Sequence, residues 1–321
     1  RILTTAFPEN LFERFGEAMY RHRLRSEIIA TQLANDMVNY MGITFVNRQQ
    51  ESTGATVTEI ARAYLTARDV FDLPHLWKQI TELDYQIDTD VQESMMADLM
   101  RLVRRATRWF LRNRRVLDNI DEEVNNFRAP VRELATRLGD TLKGSALESW
   151  RQTYNERVEA GVPEALAAAT AGASNLYSVL GIIEAARQTE RESQHVAETY
   201  FELGEYLSLD WFMQQINLLP AASHWDALAR ETLRDDLDWQ QRALTVGLLL
   251  GYDAHESLDA AIEAWADEQK ALVKRWRSML AELKAADGLE FSMVAVALRE
   301  LLDLAQASRH HKVSHDASVA G

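Results

Sequence analysis

The chain has 321 residues, with 35 Lys and Arg against 49 Asp and Glu, a net charge of −14 and a pI near 5.1. Hydrophobic residues make up 47% and charged residues 26%, a balance that excludes an intrinsically disordered chain. The 13 Gly and 5 Pro are roughly half the usual share, which argues against all-β folds with many tight turns. The lack of Cys excludes disulfides, thiolate metal sites, iron–sulfur clusters and cysteine nucleophiles.

An acidic chain has no general attraction for nucleic acid or anionic membranes, so neither is expected as a partner. No run of about eighteen apolar residues is free of charge, and no signal-peptide pattern opens the chain. A cytoplasmic protein is expected, with which a cysteine-free sequence agrees. The chain opens at Arg1 rather than Met, which points to processing or to a piece of something longer.

Helical periodicity runs through the chain. Pro8 suits the first turn of a helix carrying Leu11, Phe12 and Phe15. A second helix is predicted over about 21–41, ending at Gly42 as a left-handed cap. Thr56-Val57-Thr58-Glu59 has capping-box spacing and opens a helix with Ile60, Tyr64, Leu65 and Arg68. Asp72-Leu73-Pro74 opens another with Leu76, Trp77 and Ile80, and a long helix follows over about 89–113. Ser145-Ala146-Leu147-Glu148 reads as a second capping box, and Pro163 begins an alanine-rich stretch over 164–173. Later helices are predicted over about 188–206, 225–250, 255–286 and 290–307.

No strand or hairpin signal appears. The fold class is therefore all-α, a bundle-like domain without β-sheet. It divides at the seam near Lys143-Gly144 into helical subdomains 1–143 and 144–307. A small, polar, disordered tail over 308–321 completes the chain.

Few residues point to chemistry. The glycines form neither G-x-G-x-x-G nor a Walker loop, so no dinucleotide fold is expected in this chain. Glu192-Ser193-Gln194-His195 reads Glu-x-x-His, but a di-iron bundle needs two such pairs and two further carboxylates. A solvated helix face is the plainer reading. His310, His311 and His315 in the tail are read as part of an unstructured end. No Gly-x-Ser-x-Gly elbow occurs. No catalytic, cofactor-binding or metal-ligating residue is therefore assigned.

Two polar features stand out. Arg101, Arg104, Arg105, Arg108, Arg112, Arg114 and Arg115 gather in one helix and its end, interleaved by Trp109 and Phe110. A nucleic-acid surface would use such Arg for phosphates and Trp for stacking. In a chain of net −14 the arginines fit better as dipole partners or as partners of acidic helices. In the predicted helix over 21–41, Glu27, Thr31, Asn35 and Asn39 recur every fourth residue. Leu24, Ile28 and Val38 border this polar stripe. The pattern predicts a helix packed on most sides, with its amides hydrogen-bonded to neighbouring helices.

These residues also carry a resemblance. The segments FPENLFERF, HRLRSEIIATQLANDMVNYMGITFVNR, ESTGATVTEIARAYLTARDVFDL and RATRWFLRNRR closely resemble the C-terminal region of the large bacterial NAD-specific glutamate dehydrogenases. LDWFMQQINLLP and WDALARETLRDDLDWQQRALT resemble that family's final helices. The resemblance runs from about Phe7 to Ala307. The family's Arg-Arg-Glu-Ile is Arg25-Ser26-Glu27-Ile28 here, which leaves position 26 without the family's charge.

The resemblance implies a C-terminal fragment of a much longer subunit, inactive alone, whose catalytic lysines and NAD-binding fold lie upstream. The parent would convert L-glutamate, NAD and water to 2-oxoglutarate, ammonium and NADH. The fragment would brace the upstream catalytic domains, build a homo-oligomer or transmit regulation. Arg21, Arg23, Arg25, Glu27, Thr31, Asn35 and Asn39 form the first candidate interface, and Arg101, Arg104, Arg105 and Arg108 the second. The alternative is a free-standing helical scaffold that binds a partner protein.

Overall fold

The computed structural model describes residues 2–114, 117–251 and 257–319, with side chains described up to Ser308 apart from Thr4, Thr5 and Glu9. The described residues contain α-helices and no β-strand. They form two compact units, one of residues 1–82 and 92–128, the other of 83–91 and 129–321.

The first unit holds α1 (Ile2–Thr5), α2 (Glu9–Tyr20), α3 (Arg25–Met41), α4 (Phe45–Thr53), α5 (Val57–Val70) and α6 (Leu73–Thr81). It also holds most of α7 (Thr89–Asn113) and the first half of α8 (Ile120–Thr136). Its centre is α5, where Ile60, Ala63, Tyr64 and Ala67 are fully buried. The Thr56 hydroxyl accepts from the Glu59 N–H, and the Glu59 carboxylate accepts from the Thr56 N–H, so the capping box forms as predicted. That cap is worth about 1 kcal/mol, whereas each large apolar side chain buried on α5 gives about 1.5–3 kcal/mol. Packing therefore holds α5, and the cap only sets where it starts.

Gly42 ends α3 at φ 82°, a conformation that favours glycine. On α7, Met95, Leu99, Leu102, Val103, Ala106 and Phe110 are buried at helical spacing. The rings of Trp109, Phe110 and Phe127 meet edge to face at 5.2–5.7 Å, joining α7 to α8. The helix α8 escapes sequence reading because Pro130 lies inside it and reads as a break. The short helix α4 escapes it for want of apolar periodicity.

The second unit holds α9 (Leu138–Thr141), α10 (Gly144–Glu159), α11 (Glu164–Ala171), α12 (Ala173–Thr189), α13 (Ser193–Tyr206) and α14 (Leu209–Leu218). They are followed by α15 (His224–Gly251), α16 (Leu258–Glu268), α17 (Lys270–Ala285) and α18 (Phe291–Val319). Its core surrounds Phe212 and Trp276, whose rings cross at 84° and 5.6 Å. The Trp276 indole N–H donates to the Leu207 carbonyl at 2.9 Å, which satisfies its one buried donor. Helices α15 and α18 run side by side and approach closely at Gly247. A Cβ there would sit 3.0 Å from the Ser308 carbonyl oxygen. Ser308 is itself buried and accepts from the Trp265 indole at 3.0 Å.

Several boundaries differ from the sequence expectations. The alanine-rich stretch breaks at Gly172, and α11 and α12 meet there at 67°. A Cβ at Gly172 would lie 2.5 Å from a Leu138 methyl, so glycine lets Leu138 of α9 pack against the corner. Helix α12 is buried along most of its length, from Leu176 to Ala186, and so many apolar positions around the helix leave little amphipathic period to read. The helix predicted over 188–206 begins at Ser193, after Glu190 turns the chain at φ 54°. The Ser145 capping box does not form. Helix α10 starts two residues earlier, at Gly144 with Lys143 as its cap, and the Ser145 hydroxyl donates to Asp210 instead. The helix predicted over 255–286 is two, α16 and α17, and His255 lies outside the described residues.

No single described helix is long and apolar enough to cross a membrane. The pair α11 and α12 has the combined length and composition, but it is sharply bent and its apolar side chains are buried.

Candidate interdomain surface

The candidate surface is built on α3, whose two ends are held very differently. The C-terminal half is bolted down. Asp36 Oδ2 accepts from the Tyr64 hydroxyl at 3.0 Å and from Arg68 Nη1 at 2.9 Å. Arg68 Nε donates to Asp69 Oδ1 at 3.0 Å. One turn on, Tyr40 stacks on Trp77 of α6, with ring centroids 3.9 Å apart and planes 7° apart. Met37 and Met41 are buried beside them.

This cluster is electrostatically tight. Burial, then the charge of Asp36, holds the Tyr64 hydroxyl far above its ordinary pKa. The same two causes raise Tyr40. Burial opposes the charge on Arg68, but Asp69 and Asp36 outweigh it and its pKa is raised. The cluster therefore keeps two neutral phenols and a fixed cation beside Asp36 and Asp69, an arrangement suited to locking α3 on α5.

The N-terminal half of α3 has no buried residue. Glu27, Thr31, Asn35 and Asn39 are exposed, and their side chains make no hydrogen bond to the described residues. This corrects the expectation of a helix packed on most sides with a satisfied amide network. The apolar border is open as well, with Leu24 47% and Val38 48% exposed. The half-buried and buried positions of α3 run along one side, from Ile28 and Ile29 to Tyr40 and Met41, and α1 and α4 lie against the helix.

The helix also begins later than predicted. Arg21 follows α2 as its cap residue, and its guanidinium reaches Glu17 at 3.5 Å. Arg23 lies exposed in the turn. Arg25 opens α3 and donates to the Tyr20 carbonyl at 2.9 Å. These three arginines thus line a corner between helices.

The arginines of α7 divide by position. Arg101 is exposed and paired with Asp98 one turn earlier. Arg104 and Arg105 are half-buried. Arg108 is only 7% exposed and donates to the Ser52 carbonyl at 3.3 Å, while the Gln49 amide donates to the Arg104 carbonyl. Arg108 therefore ties α7 to α4 from within. Trp109 and Phe110 are inside, so neither can stack on a base. Arg114 pairs with Glu123 at 3.6 Å, and Arg115 lies outside the described residues. The first unit holds 17 Lys and Arg against 16 Asp and Glu, and the second 18 against 33. The arginine face is thus not swamped by its own unit's charge.

Other expected positions carry less. Glu192 precedes α13 as its cap residue, so Glu192 and His195 do not project from one helix face. Among the described residues no group of three or more His, Asp or Glu is placed to hold a metal. The side chains of His310, His311 and His315 lie outside the description. A dinucleotide is cradled by a strand, a glycine loop and a helix N-terminus. The described residues have no strand, and the positive-φ glycines stand singly at helix ends, so they do not fit NAD.

Sequence reading missed the Asp36–Tyr64–Arg68 cluster altogether. Tyr64 and Arg68 were legible as helix positions, but nothing local pairs them with an aspartate 28 and 32 residues away.

Fold and surface together define an all-helical domain with an uncovered face and no evident reaction centre among the described residues. The family described as "Glutamate dehydrogenase, C-terminal" matches residues 1–303, and the chain belongs to that family. It is 51% identical over 310 residues to an NAD-specific glutamate dehydrogenase of Pseudomonas aeruginosa, covering 97% of this chain and 19% of the relative. The enzyme of the same name from Halomonas elongata is 46% identical over 309 residues, covering 96% and 19%. That of Mycobacterium tuberculosis is 32% identical over 302 residues, covering 94% and 18%. The chain thus spans about a fifth of the length of these relatives.

Proposed function

We propose that the chain is the non-catalytic C-terminal part of an NAD-dependent glutamate dehydrogenase. The parent oxidises L-glutamate to 2-oxoglutarate and ammonium, with NAD accepting hydride. The helical part braces the upstream catalytic domains or links subunits. One observation supports this reading above the rest. The outer face of α3 exposes polar side chains without partners beside open Leu24 and Val38, in a chain that matches a fifth of its relatives. Apolar patches rimmed by polar residues mark interaction sites, and Leu24, Ile28 and Val38 lie along one side of the helix beside the polar stripe.

In this reading Arg21, Arg23, Arg25, Glu27, Thr31, Asn35 and Asn39 contact another part of the enzyme. Arg101, Arg104 and Arg105 form a second surface, which Arg108 supports from inside. An antibody against the chain should detect a band far above 36.6 kDa in an extract of the source organism. That band, purified, should reduce NAD in the presence of glutamate. A band at 36.6 kDa would overturn the proposal. Within the full-length enzyme, Asn35→Arg with Asn39→Arg should change subunit assembly or kcat/KM. Unchanged assembly and kinetics would remove α3 from the interface.

A further inference from the structure

The least covered helix of the first unit is α2. None of its described side chains is buried. Yet its sequence is strongly two-sided. Leu11, Phe12, Phe15 and Met19 share one side, and Asn10, Glu13, Arg14 and Glu17 the other. Phe15 is 50% exposed, and Leu11 and Tyr20 are open to similar degrees. Among the described helices, α1 is the one that lies closely against it. A helix of 12 residues is marginal in water by itself, so an apolar face this open calls for a partner.

We infer that α2 is a docking helix whose Leu11, Phe12, Phe15 and Met19 face seats in an apolar groove on the upstream part of the same polypeptide. The inference rests on the reading that this chain is the C-terminal part of a longer protein. It goes beyond that reading in naming the anchor residues, the mode of contact and an intrachain partner.

The length of the relatives argues for that occupant. About four-fifths of each lies outside the matched region, and the match to the C-terminal family puts that remainder before this chain. A partner on the same polypeptide is tethered to α2, so the contact is intramolecular and needs no second subunit. The side chains fit a helix laid into a groove, where anchors recur at i, i+3, i+4 and i+7: Phe12, Phe15 and Met19 stand at i, i+3 and i+7, and Leu11 lies four residues before Phe15. Tyr20 and Leu24 continue the apolar surface around the corner to α3, and Glu13, Arg14, Glu17 and Arg21 form its polar rim. The firm attachment of α3 through Asp36 and Tyr40 would hold α2 at a fixed place for docking.

The test replaces Phe15 by p-benzoylphenylalanine in the full-length enzyme and irradiates it. The expected product keeps the mass of one subunit on a denaturing gel, and its peptides join position 15 to a segment preceding Arg1. A product of doubled mass would assign the groove to a second copy and overturn the inference. A link to a segment within residues 1–321, or no link, would overturn it as well. Hydrogen exchange on the full-length enzyme gives a second readout. Phe15→Asp should speed exchange of the amides of residues 11–19 at least tenfold, and an unchanged rate would contradict docking. The wider functional reading is separable. Loss of glutamate-dependent NAD reduction from the wild-type full-length protein would reject that reading, whereas a misplaced cross-link in an active enzyme rejects only the docking.

Discussion

Arg68 of α5 and Asp36 of α3 meet at 2.9 Å with side chains only 6% and 22% exposed, and this ion pair attaches the exposed helix to the core of its unit. Asp69 shares the guanidinium and Tyr64 shares the carboxylate, so removing Asp36 affects two partners at once. Asp36→Ala should cost about 2–4 kcal/mol, since a buried hydroxyl loses its acceptor and Arg68 keeps one carboxylate of two. Urea denaturation measures it. A cost under 0.5 kcal/mol would mean that the aromatic stack of Tyr40 on Trp77 holds α3 unaided.

The same cluster gives a pH dependence with a definite sign. Tyr64 is held protonated in the folded state well beyond the ordinary 10.0, mainly by burial. Below about pH 10 the tyrosine is protonated in both states and contributes no slope. Above it the unfolded chain releases the proton while Tyr64 keeps it, so stability falls by about 1.4 kcal/mol per pH unit. Tyr64→Phe should cost about 1 kcal/mol at neutral pH and flatten that alkaline slope. Equal slopes for the two proteins between pH 10 and 11 would show that Tyr64 ionises freely in the folded state.

Gly247 is where α15 and α18 touch. Replacing it by Ala adds about 1 kcal/mol of helix propensity but drives a methyl toward the Ser308 backbone. The clash should win, with a net loss of about 1–2 kcal/mol, because the atoms in the way are the Ser308 Cβ and main chain, which cannot swing aside. Gly247→Leu should lose more. Thermal unfolding of the two variants checks the order, and a stabilised Gly247→Ala would mean that α18 can slide.

The arginines of α7 should separate cleanly by burial. Arg101→Glu sits at the surface beside Asp98 and should change stability by less than about 1 kcal/mol. Arg108→Glu places a carboxylate at a buried position facing the Ser52 carbonyl and should cost about 3 kcal/mol or more. Chemical denaturation of both tests this. Similar costs would show that Arg108 swings out to water.

Capping offers the gentlest perturbation. Thr56→Ala removes the acceptor for the Glu59 N–H and should cost about 1 kcal/mol. Glu59 has its pKa lowered by the Thr56 N–H and then by the Thr56 hydroxyl. Its contribution is therefore present above the ordinary carboxylate range and fades as pH falls through the folded-state value. The cost of Thr56→Ala should shrink in acid, which denaturation at two pH values would show.

The amino-acid order alone was enough for the helical class, the capping box at Thr56, the stop at Gly42 and the likeness to glutamate dehydrogenase C-terminal regions. The first three depend on neighbours a few residues apart, where backbone geometry and side-chain chemistry act directly, and the likeness rests on the order of residues along nearly the whole chain. The reach of Arg68 to Asp36, the inward turn of Arg108, Trp109 and Phe110, and the corner at Gly172 depend on helices brought together from distant positions. The open faces of α2 and α3 belong with these. A stripe of amides bordered by Leu24, Ile28 and Val38 reads alike whether neighbouring helices cover it or leave it bare. Hydrophobic burial is non-directional and goes wherever surfaces can close, so periodicity shows which sides of a helix can be covered, and only packing selects the side that is.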